Sequence, residues 1–244
     1  MDLVVLALKQ SAARCRLLGS DRQITLRSGH VWTLVPGDIV TVQPRKRWTH
    51  ARHPYISGEV LGSRFAPGEI GLVPLRLEPR GGGPLPVFEM EEAIPGGDDL
   101  AILEAIGARE AGDVEYAREI LEKLLERDLR CIAAREMLGS LVFRVVPWEA
   151  LRYYESGMRV GDLSFSPDFH GALPWSMPGN RPFLGCLRGY GLCLWRQKQF
   201  DEARRVLERL LVLDPDDHQG VRAASAAVER RQAWEEGDRE LAND

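Results

Sequence analysis

The stretch of sequence that decides the fold is residues 184–217, LGCLRGYGLCLWRQKQFDEARRVLERLLVLDPDD. Its apolar residues recur with a helical period and predict two antiparallel helices joined by a short turn. Gly191 in the first helix and Ala203 in the second lie twelve residues apart, and helices that cross closely need small side chains at the contact. Asp214-Pro215 ends the second helix, because proline disfavours helical backbone in the residue before it.

The same pattern occurs twice upstream. In the first unit, at about 98–131, Ala105 and Ala117 are again twelve residues apart. In the second unit, Gly139 lies 34 residues after Ala105, and Ala150 follows eleven residues later. A fixed period of this size predicts a helical repeat array.

The predicted array is not uniform. Gly191 comes eighteen residues later than the period requires, and the surplus maps to 161–180, GDLSFSPDFHGALPWSMPGN. This segment is rich in Gly, Pro and Ser, so we expect an inserted loop between the second and third units. Residues 217–236 predict a C-terminal capping helix, which such arrays need to cover their last apolar face. The array therefore spans 98–236 and is followed by a polar tail at 237–244.

The repeated pattern resembles the tetratricopeptide repeat (TPR) superfamily, above all in F-D-E-A followed by L-D-P within residues 200–215. More narrowly, residues 180–222, together with LVPGDIVTVQPRKRW at 34–48 and HPYISGE at 53–59, look like a family of bacterial cytoplasmic TPR proteins that has no assigned activity. The resemblance implies a helical repeat fold and a cytoplasmic location.

The N-terminal third has a different residue pattern. Residues 2–18 predict a short amphipathic helix. After it come five short β-branched or alternating stretches separated by Gly, Pro and Asp: Ile24–Arg27, His30–Leu34, Ile39–Gln43, Tyr55–Leu61 and Gly71–Leu77. Such spacing predicts a small antiparallel barrel or a strongly bent sheet. The fold class is therefore α+β: a β-rich module with an N-terminal helix at 1–80, a Pro/Gly/acidic linker at 81–97 and the helical array.

Composition and charge argue against a disordered chain and against a membrane-spanning one. The 244 residues are 44% apolar and 28% charged, which is ordinary for a folded globular protein. Residues 1–88 carry twelve Lys/Arg against six Asp/Glu, giving +6, and the remainder carries twenty against thirty, giving −10. The apolar run Leu3–Leu8 is far too short to span a membrane, which needs about 20 residues. We expect no membrane partner.

A groove along the first helices of the repeats is the predicted binding site for a protein or peptide segment. Counting from each repeat's small residue places six residues at or beside it: Arg109, Phe143, Arg144, Arg188, Trp195 and Arg196. Arginine forms bidentate hydrogen bonds with carboxylates, and Trp and Arg are enriched among binding hot spots, so an acidic segment is the expected ligand. Alternatively, these residues balance the acidic array or pack at its edge.

The insertion supplies a second set of candidates, Phe169, His170 and Trp175. Aromatic residues in a loop either fill the junction between repeats or form an exposed contact patch. The first interpretation is favoured here, because a broken repeat interface leaves apolar surface to cover.

A basic, aromatic cluster in the β-rich module is the third candidate, and it comprises Arg45, Lys46, Arg47, Trp48 and Arg52, with histidines and Tyr55 nearby. It could bind nucleic acid through phosphate contacts and base stacking, which is the alternative function. It could also dock on acidic segments of its own chain, or form a solvated loop.

Motifs for catalysis and cofactors are missing from the sequence. It has no Gly-rich phosphate loop between a strand and a helix, no nucleophile elbow and no zinc-protease helix. His50 and His53 have no Cys or carboxylate beside them, so we expect no metal. The four scattered cysteines are expected to be reduced thiols, and Cys186 and Cys193 to be small buried apolar residues. The sequence thus predicts no cofactor and a non-catalytic protein–protein interaction scaffold.

Overall fold

The structure is a computed structural model that describes residues 1–9, 11–81, 85–94, 97 and 99–234. Among these residues it contains a closed five-stranded barrel followed by seven helices, so the chain is α+β as predicted. Contacts group the chain into two compact units: residues 1–73 with 94–134, and residues 74–93 with those from 135 onward. The first helix pair thus groups with the barrel. The predicted tail at 237–244 lies outside the described residues.

The barrel consists of β1 (Asp2–Lys9), β2 (Ala12–Leu17), β3 (Gln23–Arg27), β4 (Ile39–His50) and β5 (His53–Arg64). The strand order is β1-β2-β3-β5-β4, and β4 pairs with β1 to close the barrel. Only the β3–β5 pairing among these is parallel. Closure leaves the five strands without a free edge.

The predicted helix at 2–18 is wrong, because Asp2–Lys9 and Ala12–Leu17 form two paired antiparallel strands. Leu3 and Val5 point into the barrel core, whereas Val4 packs on its outer side against Ile39 and Ile70. Both faces of β1 are therefore buried, and a strand buried on both faces is a continuous apolar run with no alternation. The β-branched Val4 and Val5 favour the strand.

Two other predicted strands are also wrong. Residues 31–33 form a single 3₁₀ turn, which places Val31 and Leu34 together in the barrel core. Residues 71–76 are irregular, and Gly71 has a φ of +80° that glycine adopts without strain. The strands predicted at 24–27, 39–43 and 55–61 are confirmed, although β4 and β5 extend much further as one long hairpin.

The first unit is completed by α1 (Asp99–Glu110) and α2 (Val114–Arg127). Asp113 begins α2 by accepting a hydrogen bond from the backbone N–H of Tyr116 at 3.0 Å. Glu126 near the end of α2 forms a 2.9 Å ion pair with Arg14 of β2, and Leu129 packs against the outer cluster on β1. These contacts hold the helix pair against the barrel.

The second unit begins with a two-stranded sheet, β6 (Leu77–Pro79) paired with β7 (Phe88–Met90). The interval predicted as a linker therefore contains a strand. Buried Asn180 fixes it, since its side-chain amide accepts from the N–H of Met90 at 2.8 Å and donates to the carbonyl of Phe88 at 2.9 Å. The sequence around β7 does not indicate this contact, because Asn180 lies 90 residues after Met90 in the chain.

The helices of the second unit are α3 (Ile132–Val142, which starts at the unit boundary), α4 (Pro147–Asp162), α5 (Arg181–Arg196), α6 (Phe200–Leu213) and α7 (Val221–Glu229). The predicted crossing residues Gly139, Ala150, Gly191 and Ala203 are buried. A Cβ on Gly139 would lie 2.7 Å from the ring of Tyr154. Small residues are thus required where these helices meet.

Candidate functional site

Trp195, one of the six predicted groove residues, is fully buried. Its indole N–H donates a 2.8 Å hydrogen bond to the carbonyl of Gln232, and its ring lies edge-on against Trp234 with centroids 4.8 Å apart. A buried side chain cannot form a surface contact, so the predicted surface role of Trp195 is wrong. Counting along the sequence could not show that Gln232 and Trp234 cover this residue.

Residues after α7 provide that cover. The capping helix was predicted to reach residue 236, but α7 ends at Glu229, and residues 235–236 lie outside the described chain. Trp234 also contacts Phe143, with ring centroids 5.9 Å apart. The predicted groove is therefore already occupied, at this end, by a segment of the same chain that we call the C-terminal strap (residues 230–234).

Arg196 joins the strap to the helices. Its guanidinium lies 5.1 Å above the Phe143 ring and 5.6 Å above the Trp234 ring, and it donates a short hydrogen bond to the Phe143 carbonyl. An arginine held between two aromatic faces contributes to packing as well as charge. Arg196 is thus a structural residue of this unit.

Of the remaining predicted groove residues, Phe143 is half-buried and the three arginines are exposed. Arg144 lies in the turn between α3 and α4, and Arg188 lies in the middle of α5, close enough to influence the ionisation of Tyr154. Burial raises the pKa of the Tyr154 phenol, so this residue stays neutral in the core. Arg109 is exposed on α1 of the first unit. Accessible positive charge in the second unit thus includes Arg144 and Arg188.

The aromatic residues of the insertion pack inside the second unit. The ring of Phe169 lies 4.7 Å from that of Phe165 and 5.3 Å from that of Phe88, while Trp175 lies beneath the guanidinium of Arg181 at 5.7 Å. Backbone bonds join Leu173 to Leu213 and Ala172 to strand β7. The half-buried Phe169 and Trp175 therefore fill the junction, which agrees with the favoured interpretation, whereas His170 is exposed.

The predicted basic cluster lies at the tip of the β4–β5 hairpin. Ala51 and Arg52 form its turn with φ values of 47° and 66°, and positive φ at both central positions is typical of a type I′ hairpin turn. Trp48 and Tyr55 are directly opposite each other on the two strands, and their rings stack with centroids 5.4 Å apart and an interplanar angle of 13°.

Strand alternation divides the cluster. Lys46 lies on the same face as the aromatic pair, with its ammonium 6.0 Å from the Trp48 ring centroid, whereas the guanidinium of Arg47 contacts the sulfur of Met1. A bulge between Pro44 and Lys46 leaves Arg45 unpaired in the ladder, and its side chain forms a 3.1 Å ion pair with Glu59. The predicted residues therefore do not form one uniform surface.

Arg27 on β3 was missed by the sequence analysis. Its guanidinium lies 5.9 Å above the ring of Tyr55, because β3 pairs in parallel with β5 and Thr25 lies beside Tyr55. The side chain of Thr25 is in turn hydrogen-bonded to His53 at 2.9 Å. A parallel pairing between strands 30 residues apart leaves no local signal in the sequence.

Possible metal ligands do not converge in the described part of the chain. Across those residues, no three His, Cys, Asp or Glu side chains lie close enough to hold a metal ion. All four cysteines are buried, as expected for Cys186 and Cys193, and burial raises the pKa of Cys15 and of Cys193 from 9.0 to about 12. None of the described helices has the length and apolar character needed to cross a membrane.

Comparison with known families identifies one part of the chain. Residues 184–228, from α5 into α7, match the tetratricopeptide repeat family. No curated protein and no solved structure matches the chain significantly. The helical region therefore contains a repeat of the TPR type, which typically mediates protein–protein interactions through extended helical surfaces.

Proposed function

We propose that this protein is a non-catalytic, cytoplasmic scaffold that binds a segment of a partner protein through the helices of its second unit. The observation that carries the proposal is the TPR match at 184–228, which includes the helix α5 on which the C-terminal strap lies. A helix face that holds an aromatic side chain and a backbone carbonyl of its own chain has the chemistry to hold a peptide.

Charge supports an acidic partner segment. Arg144 and Arg188 are exposed, and a guanidinium can hold a carboxylate through two parallel hydrogen bonds. Arg196 is excluded from this role, because the Phe143 carbonyl and two aromatic rings occupy it. The proposal therefore concentrates on Arg144 and Arg188, two of the six predicted groove residues.

Charge reversal tests this assignment. The double variant Arg144→Glu/Arg188→Glu should lose most of the captured partner in an affinity pulldown from the native cell, quantified by mass spectrometry. Arg205→Glu is the matched control, because Arg205 is also an exposed helical arginine but lies on α6. We expect the control to capture the partner at the wild-type level.

Two results would overturn the proposal. The double variant could retain the partner fully, or the control could lose it to the same extent, which would point to net charge rather than to a site. Circular dichroism should show that both variants keep the wild-type helical content, so that a loss reports binding.

A further inference from the structure

The outer face of the β4–β5 hairpin combines positive charge with stacked aromatic rings. Residues 43–58 include four Lys/Arg and two His and contain no Asp or Glu, although Arg45 pairs with Glu59 and Arg47 lies on the opposite face. Lys46 and Arg52 are exposed there, and Arg27 is exposed on the neighbouring strand. Such a face attracts anions before any specific contact is made.

Cross-strand pairing aligns the groups of this face. Trp48 of β4 is paired with Tyr55 of β5, which is paired with Thr25 of β3. Lys46 and Arg27 lie beside the two rings, at 6.0 Å from the Trp48 centroid and 5.9 Å from the Tyr55 centroid. The result is a stacked aromatic pair with a cation next to each ring, on three adjacent strands of a rigid barrel.

A cavity of about 270 Å³ opens beside the stack. Trp48 and Tyr55 both line it, together with Arg22 and Arg47, whose guanidinium reaches Met1. The cavity thus places flat apolar rings and two further cations around a space large enough for a flat heterocycle.

We infer that this surface, defined by Arg27, Lys46, Trp48 and Tyr55 with the adjoining cavity, binds single-stranded nucleic acid. Bases stack on exposed aromatic rings, and phosphates pair with Arg and Lys that follow the backbone. Small five-stranded barrels offer the same kind of surface to oligonucleotides and oligosaccharides. The excess of cations favours the polyanion, and the aromatic stack favours a ligand with flat rings over an acidic peptide.

Fluorescence anisotropy with labelled homopolymers tests the inference on the full chain. Single strands of about 15 nucleotides cover the site size of one small barrel. We expect a thymidine DNA strand and a uridine RNA strand to bind at low salt, and a difference between them would identify the preferred sugar. If the four cations of this surface and its cavity, Arg22, Arg27, Lys46 and Arg47, engage phosphates, raising the salt from about 50 to about 200 mM should weaken binding about 50-fold.

Substitutions separate stacking from charge. Trp48→Ala should weaken binding about tenfold, which corresponds to the loss of one stacked base, while Trp48→Phe should retain most of the affinity because a ring remains. Lys46→Ala should lower the slope of log affinity against log salt by about 0.7. The matched controls are Trp32→Ala, an exposed aromatic outside the surface, and Lys123→Ala, an exposed lysine on α2.

The results that would overturn the inference are distinct from those that concern the partner protein. No binding of either strand at low salt would overturn it. So would equal affinity for heparin, poly-glutamate or an abasic strand together with an unchanged Trp48→Ala variant, since that pattern describes a general anion surface. Thermal melting should confirm that each variant is folded.

Discussion

Replacing Trp234 by alanine tests the C-terminal strap, the feature in which the structure differs most from the prediction. The change removes ring contacts with Trp195 and Phe143 and the guanidinium of Arg196 above the ring. Each aromatic pair contributes about 0.5–1.5 kcal/mol and the cation–π contact about 0.5–1 kcal/mol. We therefore expect the free energy of unfolding of the second unit to fall by about 2–3 kcal/mol.

Urea unfolding monitored by circular dichroism would measure the effect. With a slope of about 2 kcal/mol per molar urea, the midpoint should fall by about 1–1.5 M. Trp32→Ala, which removes a 60% exposed ring, is the control and should shift the midpoint by less than about 0.3 M. A Trp234→Ala midpoint equal to that of the wild type would refute the occupied groove. A double-mutant cycle with Phe143→Ala should give a coupling energy of about 0.5–1.5 kcal/mol.

Three further predictions concern the interior. In urea unfolding, Gly139→Ala should destabilise the second unit by about 1–3 kcal/mol, because its Cβ would clash with Tyr154. The control Gly107→Ala on α1 places its Cβ in open space and should stabilise by about 0.5–1 kcal/mol. Equal effects of the two substitutions would contradict the crossing geometry. Asn180→Ala removes the hydrogen bonds that fix β7 and should accelerate tryptic cleavage in residues 76–80, and an unchanged digestion rate would exclude that role. Burial raises the pKa of Cys193 in the folded state to about 12, so its contribution to stability is full below pH 9 and is lost as pH rises from 9 towards 12. Between pH 8 and 10, ionisation of this thiol in the unfolded chain should lower the free energy of unfolding by about 1.4 kcal/mol. A Cys193→Ala variant with the same pH dependence as the wild type would disprove this.

The helical half was predictable because its determinants are local. Gly191 and Ala203 set the crossing of α5 and α6, and Asp214-Pro215 sets the end of α6, within a single window of 34 residues. The barrel was harder to predict. Its first strand is buried on both faces, so the alternation that distinguishes a strand from a helix is missing in Leu3–Leu8.

The candidate sites were also hard to predict, because their residues meet through contacts that are distant in sequence. Counting along α5 could not place Trp234 against Trp195, since the two segments meet only in the folded chain. The basic cluster was visible as a run of residues, yet strand alternation and the bulge at Arg45 decide which cations share a face. Arg27 joins the cluster only through the β3–β5 pairing.

The hydrogen bonds between Asn180 and β7 have a consequence for synthesis of the chain on the ribosome. Strand β7 is complete at residue 90, but the amide that fixes it is added 90 residues later. At about 5–20 residues per second, the strand waits for about 5–20 s before its partner exists. The two units also alternate along the sequence, so a chain that stops near residue 98 leaves both of them incomplete. A single cut after residue 134 therefore releases the first unit only together with residues 74–93, which belong to the second.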